Sequence, residues 1–192
     1  MKRLWFYFIY LLLVWGSFRY FIHLPDVIEE LWFKPVIWLV PLFWWNLSLK
    51  GKIDLFGNKW LETTLWGLGM AMLYWLVIRK MNFSYSGVTL DIFGVSIATA
   101  ITEEVALSGF VTTYIKKYIK DTLETSLLVG FMTAVLRLPI VIFVYQLSPV
   151  AILGVFLIAG ASGMMNSWIK QRTNNVTGSI IARVGLNLAL LG

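Results

Sequence analysis

Residues 88–113 read VTLDIFGVSIATAITEEVALSGFVTT, an apolar stretch whose second half carries the adjacent carboxylates Glu103 and Glu104. As a helix, this stretch is long enough to cross the hydrocarbon core of a bilayer, which is about 30 Å thick. A charged side chain at that depth costs about 3 kcal/mol on insertion scales and is usually retained for a partner or a function. Neighbouring helical residues point about 100° apart, so both carboxylates can border one polar cavity without facing the same way.

Six further apolar stretches accompany this one and leave no room for a separate soluble domain. Of the 192 residues, 59% are apolar and 14% are charged, whereas a soluble protein is about one quarter charged. The pattern predicts an all-α bundle of about seven transmembrane helices in a single membrane domain, 1–192. Gly160 and Gly163 predict close helix contact in the sixth stretch. The approximate bounds of the stretches are 4–22, 35–49, 60–78, 88–113, 126–145, 149–168 and 177–192.

The short loops between the stretches carry most of the basic residues. The net charge of +6 would suggest nucleic acid in a soluble chain, but here we expect membrane lipids and no nucleic acid as partners. With a cytoplasmic N-terminus, ten basic residues lie in inner segments and three in outer segments, as the positive-inside rule requires. The inner residues are Lys2, Arg3, Lys50, Lys52, Lys59, Lys116, Lys117, Lys120, Lys170 and Arg172, and the outer ones are Lys34, Arg79 and Lys80.

A polar interruption separates the first two stretches. Residues 27–33 are predicted to form a short interfacial helix with Glu29 and Glu30 on its water-facing side. Arg19, near the outer end of the first stretch, is expected to snorkel to the interface. His23 is the only histidine of the chain and is expected to be a surface residue.

Four charged residues lie deeper in the stretches, and their charges sum to zero: Glu103, Glu104, Arg137 and Arg183. We predict that the two glutamates pair with the two arginines across helices, because unpaired charges are costly in lipid. The residues alone leave two interpretations open, a salt-bridge cluster that fixes helix packing or a polar reaction chamber. The chain has no cysteine, which excludes disulfides, thiolate metal sites and a cysteine nucleophile.

Residues 103–110 resemble the first motif of the CPBP family, the CAAX-type intramembrane endopeptidases with bacteriocin-processing and immunity relatives. That motif has two glutamates, three residues and an arginine, often followed by glycine and an aromatic residue. The resemblance extends over 91–192, the region similar to the family core. Apart from Ser108 at the arginine position, the motif is matched by Glu103, Glu104, Gly109 and Phe110.

The family's other two motifs can be placed on this chain by their position, but the residues at those positions differ from the motifs. The second motif, a phenylalanine with a histidine four residues later, would fall on Thr133 and Arg137. The third motif, a histidine in the last span and often an asparagine four residues later, would fall on Asn187 and Leu191. Because Ser108 removes one cation, Arg137 and Arg183 are expected to compensate as ion-pair partners that line the site.

These substitutions change the chemistry that the resemblance implies. In the family, the glutamates and histidines are taken to activate water for peptide hydrolysis, and a metal would need several such ligands. An arginine can neither ligate a metal nor accept a proton. We therefore expect no cofactor, with zinc or another metal only if the family's chemistry is retained.

Three functions are compatible with these residues. The first is a catalytically impaired CPBP-like protein that binds a membrane peptide or protein, as in immunity or regulation. The second is an active intramembrane peptidase, in which Glu103 or Glu104 activates water and Asn187 stabilises the oxyanion. The third is a small transporter or channel component, although the sequence has no internal repeat of the kind many transporters show. The resemblance also implies a prokaryotic cytoplasmic membrane.

Overall fold

Seven helices follow one another in the computed structural model, which describes residues 1–22, 24–48, 53–80 and 87–191. The all-α membrane bundle predicted from the sequence is confirmed. Three residues for which the sequence predicts surface or loop positions lie outside the described residues: His23, Lys50 and Lys52. The helices are α1 (Lys2–Phe21), α2 (26–48), α3 (Trp60–Lys80), α4 (90–115), α5 (Thr122–Val144), α6 (Pro149–Thr173) and α7 (Thr177–Leu191).

Three of the helices contain a π-helical segment, in which the backbone hydrogen bonds span five residues instead of four. The segments are Glu29–Phe33 in α2, Val105–Val111 in α4 and Ile140–Val144 in α5. The one in α5 follows Pro139, which has no N–H to donate to the regular ladder. The other two begin at or directly after paired glutamates, and π-helical turns are frequent at functional sites.

The bundle presents apolar side chains to its surroundings, as a protein embedded in lipid must. In the part of the chain that the structure describes, four helical segments are long and apolar enough to cross a membrane by length and composition: α1, Trp60–Ile78 of α3, α5 and α6. Their exposed side chains include Leu61, Met72, Leu153 and Leu157. The chain is an integral membrane protein with lipid around these helices.

Small residues bring α5 and α6 into close contact. A Cβ atom added to Gly130 would lie 2.6 Å from the carbonyl oxygen of Gly160. A Cβ atom added to Gly163 would overlap the side chain of Thr133. The close helix contact predicted at Gly160 and Gly163 is therefore confirmed, and it follows the small-residue packing common between membrane helices.

Two predictions about the N-terminal region are wrong. Residues 26–48 form one continuous helix, and Glu29 and Glu30 are buried at 2% and 6% exposure instead of facing water. Arg19 is 3% exposed and does not snorkel. The physical reason is that lipid surrounds this region, so apolar Trp32 takes the outward side while the charged side chains turn to the bundle interior.

Candidate functional site

Glu103 lies at the centre of the buried charges. It is 2% exposed and precedes the π-helical segment of α4 by two positions. Its Oε1 accepts a hydrogen bond from Nζ of Lys34 at 2.7 Å. Its Oε2 accepts from Nη2 of Arg137 and from Nη2 of Arg183, each at 2.6 Å. Cations from α2, α5 and α7 therefore share one carboxylate.

Glu104 has a different set of partners, as the 100° step between neighbouring helical residues requires. Its Oε2 accepts from the hydroxyl of Ser108, one turn later, at 2.5 Å. Its Oε1 accepts from Nδ2 of Asn166 on α6 at 2.8 Å and lies 3.5 Å from Nε of Arg183. The hydroxyl of Tyr74 donates to Oδ1 of Asn166 at 3.4 Å. Glu104 is thus held mainly by neutral donors.

The structure brings together all of the sequence-predicted site residues except Asn187. Of the two glutamates, Glu103 contacts both arginines, whereas Glu104 contacts Arg183. Asn187, predicted to stabilise an oxyanion, donates instead to the backbone carbonyl of Ser96 at 3.2 Å. Among the described residues, it has no hydrogen bond to either glutamate.

Four charged residues that sequence reasoning did not assign to the site extend these contacts. Nζ of Lys34 lies 2.6 Å from Oε2 of Glu30, so Lys34 bridges Glu30 and Glu103. Arg19 pairs with Glu29 and donates from Nη2 to Oε1 of Glu30 at 2.6 Å. We call the whole set the charge network, and its net formal charge is zero. Its members are the cations Arg19, Lys34, Arg137 and Arg183 and the carboxylates Glu29, Glu30, Glu103 and Glu104.

The sequence contained a signal for part of this extension. Glu30 and Lys34 are four positions apart, a spacing that puts both on one face of a helix. Asn166 is likewise a polar residue within a long apolar stretch. Because residues 27–33 were predicted to form an interfacial helix, the face that carries Glu30 and Lys34 was expected to point to water. The spacing of these two residues was therefore not connected with the site.

A narrow cleft lies beside the charge network. Its walls include Trp15 and Trp38 from the N-terminal helices and Thr133 and Arg137 from α5. The cavity of about 10 Å³ has room for one water molecule. The Arg137 side chain is 25% exposed, while that of Glu103 is 3% exposed. The charge network is therefore reached from the surface at Arg137.

The residues around Glu103 do not fit a divalent metal ion. Zinc sites use histidine, cysteine or carboxylate ligands, usually three or more from the protein. The described part of the chain contains no group of three such side chains close enough to hold a metal. The positions beside Glu103 are taken by Lys34, Arg137 and Arg183, which repel a cation and cannot replace its ligands.

The helices that carry the paired glutamates and the two arginines also match a known family. The family described as type II CAAX prenyl endopeptidase Rce1-like matches residues 85–189, which is more than half of the 192-residue chain. The chain belongs to this Rce1-like family. The family resemblance drawn from residues 103–110 is therefore confirmed. No curated protein and no solved structure matches the chain.

The Rce1-like match divides the charge network between two parts of the chain. Glu103, Glu104, Arg137 and Arg183 lie inside the matched segment, whereas the other four members belong to α1 and α2, before it. In this Rce1-like protein, helices outside the family segment therefore complete the surroundings of the paired glutamates.

Proposed function

We propose that this protein is a catalytically impaired member of its family and acts by binding a membrane peptide or a membrane protein. The observation that carries the proposal is the set of hydrogen bonds from Lys34, Arg137 and Arg183 to Glu103. A general base must direct a free lone pair at a water molecule within about 2.6–3.2 Å. Three cations compete with water for the oxygens of Glu103 and oppose that role.

The nature of these cations supports the same proposal. Arg137 stands where the resemblance expects a histidine, and Ser108 stands where it expects an arginine. A guanidinium keeps its proton in proteins, so Arg137 can donate hydrogen bonds but cannot relay a proton as a histidine does. The substitutions favour holding a ligand over cleaving it.

The cleft supports a role in binding. A guanidinium carries five N–H donors. Among the described residues, the hydrogen bond of Arg137 goes from Nη2 to Glu103, and the side chain is 25% exposed in the wall of the cleft. The remaining donors suit the carbonyl oxygens of a peptide. Such binding alone would be sufficient for a role in immunity or regulation.

An active intramembrane peptidase is the second candidate, and one observation favours it. Glu103 borders a cavity with room for one water molecule. In that mechanism Glu103 takes a proton from the water, and the resulting hydroxide attacks the peptide carbonyl. Glu103 then returns the proton to the amide nitrogen as the C–N bond breaks. Arg137 stabilises the oxyanion, and Asn187 contributes only if it leaves the carbonyl of Ser96.

A combined cleavage and binding assay in lipid nanodiscs separates the two candidates. The probe is a membrane-tethered peptide with a fluorophore, with binding followed by anisotropy and cleavage by mass spectrometry. Impaired catalysis predicts that the parent protein retains the peptide and releases no fragments. Cleavage by the parent protein would establish the peptidase instead if it is kept in Glu124→Gln, at an exposed site on α5, and lost in Glu103→Gln or Glu104→Gln at a temperature at which that variant is still folded.

We further propose that the N-terminus lies in the cytoplasm and that the protein resides in a prokaryotic cytoplasmic membrane. The orientation is supported by the basic residues outside the helix interiors: without Lys34 and Lys170, which are buried in helices, nine remain in inner segments and two in outer segments. The type of membrane is supported by the resemblance to the CPBP family alone.

A further inference from the structure

The wall of the cleft is positively charged, although the charge network as a whole is neutral. Among the described residues, the charged side chains of this wall are the four cations of the network and one of its carboxylates: Arg19, Lys34, Arg137, Arg183 and Glu103. The net formal charge of the wall is therefore +3. The other carboxylates of the network contact these cations from outside the wall: Glu29, Glu30 and Glu104. Because the Coulomb energy falls with distance, the nearer cations dominate the potential inside the cleft.

The same wall keeps N–H groups that no described residue accepts. Nε1 of Trp38 is buried without a hydrogen-bond partner, and the whole residue is 2% exposed. Nζ of Lys34 has three N–H donors, of which two go to Glu30 and Glu103. The guanidinium of Arg137 uses Nη2 for Glu103 and keeps further donors. The cleft therefore offers hydrogen bonds to an acceptor from both α2 and α5.

This combination of charge and donors selects the kind of guest. The excess of positive charge that excludes a metal ion from Glu103 attracts an anion instead. A water molecule can accept the same hydrogen bonds, but it carries no charge to offset that of the wall. An anion gains both the hydrogen bonds and the Coulomb attraction, and hydrogen bonds to a charged group are the stronger ones.

The cleft is held at a size that suits one small ion. Its cavity of about 10 Å³ has room for one water molecule, and chloride is close to that size. Beside the cleft, α1 packs against α5, since a Cβ atom added to Gly16 would lie 3.5 Å from the side chain of Pro139. The ring centroids of Tyr20 and Phe143 are 5.2 Å apart in the same contact between helices. These contacts fix the wall against a large guest, while Arg137 gives access from the surface.

We propose that the cleft binds a small monovalent anion, chloride or an ion of similar size, at the free donors of Trp38, Lys34 and Arg137. Lys34 and Arg137 supply charge as well as hydrogen bonds, and Trp38 supplies a neutral N–H. A bound anion would occupy donors that we assign to a peptide above, so chloride should oppose peptide binding. That consequence rests on the proposed function, whereas the anion site itself does not.

Thermal unfolding in chloride tests the site without any peptide. The full chain in detergent is measured while sodium chloride replaces sodium gluconate at constant ionic strength, so that general screening of charges stays the same. Gluconate is too large for the cavity. An ion that binds only the folded protein stabilises it. The unfolding temperature of the parent protein should therefore rise as chloride replaces gluconate.

The substitution Trp38→Phe removes the N–H and retains an aromatic ring. We expect the dissociation constant for chloride, fitted from the rise in unfolding temperature, to increase about tenfold or more, because a hydrogen bond to a charged group is lost. Trp45→Phe is the matched control on the same helix. Nε1 of Trp45 is also buried without a described partner, but its ring packs against Tyr114 away from the cleft. This control should bind chloride as the parent does.

The substitution Arg137→Gln should abolish the chloride effect, because it removes the cation that opens the cleft to the surface. Arg172→Gln is its control. Arg172 also pairs with a carboxylate, at 3.5 Å from Glu62, but its side chain is 52% exposed and lies outside the cleft. Each variant is compared with its own unfolding temperature in gluconate, so a general loss of stability does not affect the result.

Two results would overturn the anion site. One is an equal unfolding temperature of the parent in chloride and in gluconate, which would mean that the cleft holds only water. The other is a chloride affinity in Trp38→Phe and Arg137→Gln equal to that of the parent, which would place the bound ion elsewhere. Because the measurement contains no peptide, its failure is distinct from a failure to bind peptide or from the discovery of cleavage.

Discussion

Lys34 and Glu103 are 69 positions apart in the sequence, yet their side chains meet at 2.7 Å while only 2% and 3% exposed. This contact connects a helix that precedes the family segment with the family's paired glutamates. Because lipid cannot solvate an unpaired charge, substitutions on either side of this contact affect the other side. The consequences can be measured one residue at a time.

The substitution Glu103→Gln should strongly destabilise the protein. It removes the carboxylate shared by three cations and leaves the charge network with a net charge of +1. Removing one partner of a buried ion pair costs about 3–5 kcal/mol. Thermal unfolding in detergent measures the effect. Glu62→Gln serves as the control, because its ion pairs with Lys59 and Arg172 are partly exposed and contribute about 0–1 kcal/mol. Equal losses in the two variants would contradict the central position of Glu103.

The substitution Gly163→Ala should disturb the contact between α5 and α6. The added methyl group would overlap the side chain of Thr133, and overpacking of this kind costs about 1–3 kcal/mol. Gly154→Ala on the same helix is the matched control, since nothing lies within 4 Å of its added Cβ. That control should be neutral or stabilising by up to about 1 kcal/mol. Unfolding temperatures in one detergent compare the two, and a loss in Gly154→Ala as large as that in Gly163→Ala would refute the packing argument.

The buried asparagines Asn166 and Asn187 should differ in their contributions to stability. Asn166 donates to the carboxylate of Glu104 at 2.8 Å, so Asn166→Leu should cost about 1.5–3 kcal/mol. Asn187 donates to a neutral backbone carbonyl at 3.2 Å, so Asn187→Leu should cost about 0.5–1.5 kcal/mol. Thermal unfolding of both variants gives the order. The reverse order would mean that Asn187 has a stronger partner than the carbonyl of Ser96.

The orientation in the membrane can be read from single cysteines in this cysteine-free chain. Tyr118 lies between α4 and α5, and Gln146 lies between α5 and α6; both are exposed. With a cytoplasmic N-terminus, a membrane-impermeant maleimide added to intact cells should label Gln146→Cys and spare Tyr118→Cys. Labelling after cell lysis supplies the control, because both cysteines should then react. Selective labelling of Tyr118→Cys in intact cells would reverse the assignment.

The helices could be predicted because lipid requires every backbone group to be satisfied within the segment that crosses it. Long apolar stretches therefore identify helices directly, and their ends differ from the structure by a few residues. The sixth stretch was predicted to end at 168, whereas α6 continues to Thr173. Lys170 explains the difference, since its Nζ donates to the carbonyl of Asp54 and to Asn174 and keeps a charged residue inside the helix.

Only half of the charge network could be predicted from the sequence. Glu103, Glu104 and the two arginines are conspicuous because they interrupt apolar stretches. Glu29, Glu30 and Lys34 lie near the ends of stretches, where charged residues usually reach water. Which way they face depends on the packing of α1 against α2 and α4, and that packing leaves no periodic trace in the sequence. The same limit applies to Asn187. The sequence predicted the helix that carries it, but not that its side chain faces the carbonyl of Ser96.

The π-helical segment Val105–Val111 gives α4 two angular registers, one on each side of it. A π-helical turn accommodates an extra residue, which offsets the side chains before it from those after it by about 100° relative to a regular helix. Deleting one residue from this segment would restore an ordinary helix with its backbone bonds intact and would swing the paired glutamates away from their cations. The length of α4, as much as its composition, therefore determines whether the paired glutamates reach their cations. The insertion or deletion of one residue is enough to bring these side chains together or to separate them.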